Sequence, residues 1–101
     1  MSDVVLSLVM PTGVAQDVED LLLSQPELVR GFTTGQVNGH GSSVQLVEPA
    51  ELVSGHSPRV QIQLAGAHDD MQAILALLQE RYPRANIFYW IVPVLAMGRI
   101  L

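Results

Sequence analysis

Four side chains in one stretch are the best equipped for chemistry: His40, Glu48, Glu51 and His56. Imidazole nitrogens together with carboxylate oxygens form a ligand set suited to Zn, Cu, Ni or Co. No compact binding motif spaces them, so each histidine taken alone reads as an exposed polar loop residue. Symmetry offers another route, because three copies of one histidine can meet around an axis. The remaining imidazole, His68, stands before Asp69 and Asp70 and reads as a helix-start residue. Upstream, Thr34 and Gln36 carry groups that can hydrogen-bond a ligand in a cleft or simply lie on an edge strand. Asn38, Gly39 and Gly41 suit turn geometry, and the same backbone freedom would let amides approach a bound anion. Arg84 is open to phosphate or carboxylate, whereas Arg81 reads as a last-turn residue favoured by the helix dipole. Catalysis finds little support. No Ser-His-Asp arrangement stands out, and Asp69-Asp70 reads as a helix start rather than an acid–base pair, so the chain is expected not to be an enzyme. Met10, Met71 and Met97 fall in apolar contexts and read as packing residues, as does Trp90.

Composition narrows the partners. The chain has 101 residues, which suits one domain, residues 1–101, with a modest core. Five Lys plus Arg face ten Asp plus Glu, a net charge of -5, so there is no basic stripe for a nucleic acid. There is no cysteine, which removes disulfides, thiolate zinc sites, iron–sulfur ligation and cysteine nucleophiles. The start lacks a basic n-region, and the longest apolar run, Ile87 to Met97, is broken by Pro93 and too short to span a bilayer. A soluble cytoplasmic protein without membrane insertion is expected. Only 15% of residues are charged and 49% are hydrophobic, against about 25% charged in an ordinary domain. So few charges cannot cover a small monomer, and self-association is expected.

These residues have to be positioned by a short run of elements. Val4 to Met10 is apolar except for Ser7 and reads as a central strand. Pro11-Thr12-Gly13 turns the chain into a helix marked by Val14, Val18, Leu21 and Leu22, with Thr12 as N-cap and Pro26 as its end. Leu28 to Val37 reads as a strand and Asn38 to Gly41 as a break. From Arg59 to Leu64 the alternation is strict, with Val60, Ile62 and Leu64 on one face and Arg59, Gln61 and Gln63 on the other, toward a wetter interior or a loop. Met71, Ile74, Leu75 and Leu78 mark a second helix with an acidic first turn that stops before Pro83. Asn86 to Val92 is a β-prone aromatic strand, and Val94 to Leu101 reads as a short extra strand or a docked coil. The order is the α+β, ferredoxin-like βαββαβ sandwich. Right-handed crossovers put the first and third strands centrally in a four-stranded antiparallel sheet, with both helices on one face. Either Phe88, Trp90 and Val92 or their alternates Ile87, Tyr89 and Ile91 must then line the uncovered face, and both sets are apolar.

The stretch Thr33 to Gly41, a variable loop, and Ala50 to Leu64 resembles the second strand, mobile loop and third strand of the PII-like signal-transduction superfamily. Val37-Asn38-Gly39-His40-Gly41 stands where that superfamily has a valine, a basic residue, a glycine, an aromatic and a glycine; Ala50-Glu51-Leu52-Val53 stands where the returning limb begins. The resemblance implies a cyclic homotrimer with the sheet facing inward, ligands in clefts between subunits, and a loop at about 38–58. Thr34, Gln36, Asn38, Gly39, Gly41 and Arg84 would contribute to the cleft and loop. The departures are specific. No tyrosine lies between Gly41 and Pro58, so control by tyrosine modification has no substrate there. Arg81-Tyr-Pro-Arg-Ala-Asn86 replaces the glycine-rich turn that holds nucleotide phosphates, which disfavours ATP or ADP. The closing Phe88-Tyr-Trp-Ile-Val-Pro-Val94 and the tail around Gly98 resemble a small bacterial branch whose members are often encoded beside heavy-metal efflux pumps. The expectation is a non-catalytic regulator that senses a small ligand, by preference a divalent metal bound through His40, His56, Glu48 and Glu51, and signals to a membrane transporter. A nucleotide-binding PII-like signalling protein is one alternative. A ferredoxin-like enzyme acting on a small organic substrate is another, on topology alone.

Overall fold

The computed structural model describes residues 2–41 and 57–101. Strand β1 (Asp3–Pro11) leads directly into helix α1 (Thr12–Leu23); β2 (Thr33–Gly39) and β3 (Ser57–Ala67) form the middle pair. Helix α2 (His68–Arg81) and β4 (Phe88–Pro93) complete the order. The four strands form one antiparallel sheet in the order β2-β3-β1-β4, so β3 and β1 are central, as periodicity and crossover handedness predict. This is the α+β, ferredoxin-like arrangement.

Periodicity places the core. Val4, Leu6, Leu8 and Met10 on β1 and Ile62 and Leu64 on β3 are buried against the helices, following the two-residue period of a strand. Ala15, Val18, Leu21 and Leu22 from α1 and Met71, Ile74, Leu75 and Leu78 from α2 meet them at helical spacing. Met10 and Met71 are core residues, while Met97 remains half exposed. Asp69 and Asp70 sit in the first turn of α2 and Arg81 in its last, each at the favourable end of the helix dipole.

Several boundaries differ from the reading of the sequence. Pro11, not Thr12, occupies the N-cap position of α1, and no side chain caps the helix. The φ of -58° at this position is the value that the proline ring fixes. The predicted break at Asn38 is instead strand: Asn38 pairs with Pro58 and Gly39 with Ser57. The ladder overrides local turn propensity because β3 presents a continuous partner. Gly41, just beyond it, is the residue that takes a left-handed conformation, with φ +110°. Leu28 to Phe32, predicted as strand, lies outside β2.

Candidate functional site

Register decides which apolar set of β4 lines the uncovered face. Tyr89 and Ile91 lie across from Leu8 and Leu6, whereas Phe88, Trp90 and Val92 lie across from Val9, Ser7 and Val5. The second set therefore points away from the helices. Phe88 is 63% exposed and Trp90 38%, with ring centroids 5.9 Å apart and planes tilted at 55°. Polar groups run through this apolar face in a row: Thr33, Gln63, Ser7 and Trp90 are successive cross-strand neighbours. Ser7 is almost fully buried, and Gln63 donates a hydrogen bond to its hydroxyl at 3.2 Å. A buried hydroxyl is thereby satisfied on a face whose β4 members and β1 neighbours Val5 and Val9 are apolar.

At the β2 end of the sheet a cleft of about 390 Å³ is lined by Thr12, Gln36, Val37, Asn38, Pro58 and Arg59. Three elements build it. Thr12 opens α1, Gln36 to Asn38 come from the edge strand, and Pro58-Arg59 begin β3. Arg59 sits in register between Pro11 on β1 and Val37 on β2. It is only 5% exposed, and it is a charged residue with a partner. A guanidinium always carries its charge and presents five donors in a planar fork. Hydroxyl, carboxamide and guanidinium groups converge here on a space open to a small polar molecule.

The sequence-predicted site residues divide accordingly. Gln36 and Asn38 line the cleft. Thr34 is exposed on β2 in register with Ile62, and Gly39 ends that strand; neither lines the cleft. Gly41 and Arg84 are exposed elsewhere, Arg84 in the turn after α2. His40 follows β2 directly and is exposed but has a partner. Glu48, Glu51 and His56 lie outside the described residues, and the described residues alone hold no group of three His, Asp or Glu side chains placed for a metal ion. His68 is the first residue of α2; its amide donates to the Ser2 carbonyl at 3.2 Å and its Nδ1 lies 3.5 Å from an Asp69 carboxylate oxygen. Its role as a helix-start residue is what the contacts display. Arg59 and Thr12 are the members that residue-type reasoning passed over. Arg59's position directly after the expected loop, as the one charged residue of an alternating strand, was the available signal.

A second cleft, of about 370 Å³, lies at the other edge, between the end of α2 and β4. Leu8, Leu75, Leu78, Tyr82, Ile87 and Tyr89 supply its apolar walls. Asn86, at its rim, takes φ 58°, a left-handed conformation for which Asn is among the permissive residues. The Tyr82 hydroxyl donates to the Asp17 carbonyl at 3.4 Å, linking the exit of α2 to α1.

Comparison with known proteins is consistent with this geometry. The family described as "Protein of unknown function (DUF3240)" matches residues 1–101. No curated protein matches the chain. Among solved structures, a DUF3240 family protein from Shewanella baltica OS155 is 19% identical, with a TM-score of 0.79 over 100% of this chain and 99% of that one. A nitrogen regulatory PII-like protein from Thiomonas intermedia K12, bound to ADP, AMP and bicarbonate, is 17% identical with a TM-score of 0.72, covering 100% and 98%. A CutA1 variant from Pyrococcus horikoshii OT3 is 12% identical with a TM-score of 0.70, covering 94% and 86%. The fold is thus the PII-like form of the ferredoxin-like sandwich. Among the described residues no helix is long and apolar enough to cross a membrane.

Proposed function

The chain belongs to the DUF3240 family, and from that premise we propose that it is a non-catalytic, PII-like regulatory protein whose loop responds to a small ligand held at the root of β2 and β3. The observation that carries this reading is the buried Arg59 guanidinium in a cleft with Thr12, Gln36 and Asn38. The ligand class that fits is a small oxyanion or carboxylate, because a guanidinium carries five donors and can serve such an anion in addition to the partner it already has. Bound there, it touches the residues from which the intervening chain departs and returns. Unequal affinity for two arrangements of that chain is what converts binding into a signal.

The protein works as a cyclic homotrimer with the open sheet face turned inward. Support comes from the apolar side chains stranded on that face, Phe88, Trp90 and Val92, beside half-buried Val5 and Val9. A closed ring covers the same patch on every copy and leaves no unpaired surface for further growth.

His40, at the same root, favours a second reading: a divalent Zn, Cu, Ni or Co ion held by His40 with His56, Glu48 and Glu51, with a membrane efflux system as the partner. The two readings separate in one experiment. Native mass spectrometry and calorimetry with bicarbonate, acetate and phosphate, then ADP and AMP, then Zn, Cu, Ni and Co, are run on the natural chain and on Arg59→Gln. Saturable oxyanion binding that Arg59→Gln weakens at least roughly tenfold supports the first reading. Oxyanion affinity unchanged by that substitution overturns it. Metal binding abolished by His40→Ala with His56→Ala supports the second reading, and metal binding that survives both removes it.

A further inference from the structure

The segment after β4 poses a physical problem that the sheet face does not. Val94 is pinned at its start, its amide donating to the Asp3 carbonyl at 3.0 Å, and the residues beyond it form no regular structure. Leu95 is 102% exposed, Ile100 100% and Leu101 106%, while Met97 is 48% exposed. Four of the large exposed hydrophobic side chains therefore fall within seven residues that carry one charge, on Arg99. Such a ribbon is stable only against an apolar surface.

Among the described residues, the cleft walled by Leu8, Leu75, Leu78, Tyr82, Ile87 and Tyr89 is an uncovered apolar recess of matching character. Among the described residues no charged side chain lines it; Gln79 and Asn86 are its amide-bearing members. The two features lie at opposite ends of β4. The cleft takes Ile87 and Tyr89 at the start of the strand, and the ribbon leaves at Val94, about 17 Å further along at the rise of an extended chain. The ribbon also continues directly from the exposed Phe88, Trp90 and Val92, so whatever covers the sheet face is carried on to it.

We propose that residues 95–101 are an exchange arm that seats its leucine and isoleucine side chains in the Tyr82–Tyr89 cleft of the next copy of the chain. One arm and one cleft per chain satisfy each other around a closed ring, which is the condition for a head-to-tail contact that ends rather than polymerises. The inference rests on the assembly reading above and adds to it a defined pair of surfaces.

The absence of native cysteine makes the test direct. Ile100→Cys is combined with Gln79→Cys, at the exposed rim of the cleft, and the folded protein is treated with a flexible bis-maleimide. Ile100→Cys combined with Gln16→Cys, on the exposed face of α1, is the control. All three positions are exposed, so folding is not at stake. The expected result is covalent dimers and trimers for the Gln79 pair and a background level for the Gln16 pair. Removal of residues 95–101 should raise the concentration at which the assembly dissociates at least roughly tenfold, since burial of even one such side chain exceeds that factor. Linkage confined within single chains overturns the exchange. Absence of linkage in a protein that light scattering still reports as an oligomer overturns the arm and leaves the assembly reading standing. A monomer at every concentration removes the assembly reading, and the arm with it.

Discussion

Truncation of Phe88 to alanine separates what this side chain does within a subunit from what it does between subunits. In one chain 63% of Phe88 is exposed. A phenylalanine presents about 200 Å² in an extended chain, so Phe88→Ala deletes roughly 100 Å² of apolar surface that assembly would bury. At about 25 cal/mol per Å² this is worth about 2.5 kcal/mol per subunit, a factor of roughly fifty to a hundred in association. Because two versions of one interface are compared, the translational and rotational costs of association cancel. Inside the subunit the ring meets Trp90 at 5.9 Å between centroids. A contact of that kind is worth about 0.5–1.5 kcal/mol. The substitution should therefore shift dissociation much further than unfolding. Sedimentation velocity over a dilution series gives the first quantity, and denaturant unfolding of the dissociated subunit gives the second. An unchanged dissociation profile, paired with an unfolding free energy lowered by about 2 kcal/mol or more, would refute the assignment of Phe88 to an intersubunit face.

Other expectations follow from the same packing. Leu8→Ala removes a fully buried side chain from a central strand; it should cost about 2–5 kcal/mol, read as a fall in the urea midpoint at unchanged slope. Gly41→Ala should cost on the order of 1 kcal/mol in the same assay because of the φ of +110° at that position. Gly35→Ala, which meets nothing within 4 Å and has no such backbone constraint, should lie within about 0.5 kcal/mol of the natural chain. Arg59→Gln should weaken oxyanion binding at least roughly tenfold by calorimetry while leaving the oligomer intact in light scattering.

Element order was legible because residue patterning is local: β1 is an apolar run, β3 alternates, and Met71, Ile74, Leu75 and Leu78 recur with the helical turn, while strand order followed from crossover handedness. The lining of the cleft was legible only in part. Gln36 and Asn38 were identified from residue type and reach the cleft, but Arg59 was assigned to a face and its burial was not foreseen. Exposure of a charged side chain depends on what neighbouring strands place beside it, and Pro11 and Val37 are brought there by pairing across long sequence separations.

The same distinction applies to the end of the chain. Composition alone, with 15% charged residues, led to the expectation that part of the surface is buried by self-association, because so few charges solvate a small domain poorly. Which atoms were left uncovered was a matter for the tertiary structure. The two apolar sets of β4 are equivalent as sequence, and a one-residue shift in pairing would exchange them. The register of Trp90 opposite Ser7 sends Phe88, Trp90 and Val92 outward and Tyr89 and Ile91 toward the helices. It also makes Tyr89 the wall of a cleft. Local periodicity thus determined the elements, while the hydrogen-bond register between distant strands decided which apolar side chains are left exposed.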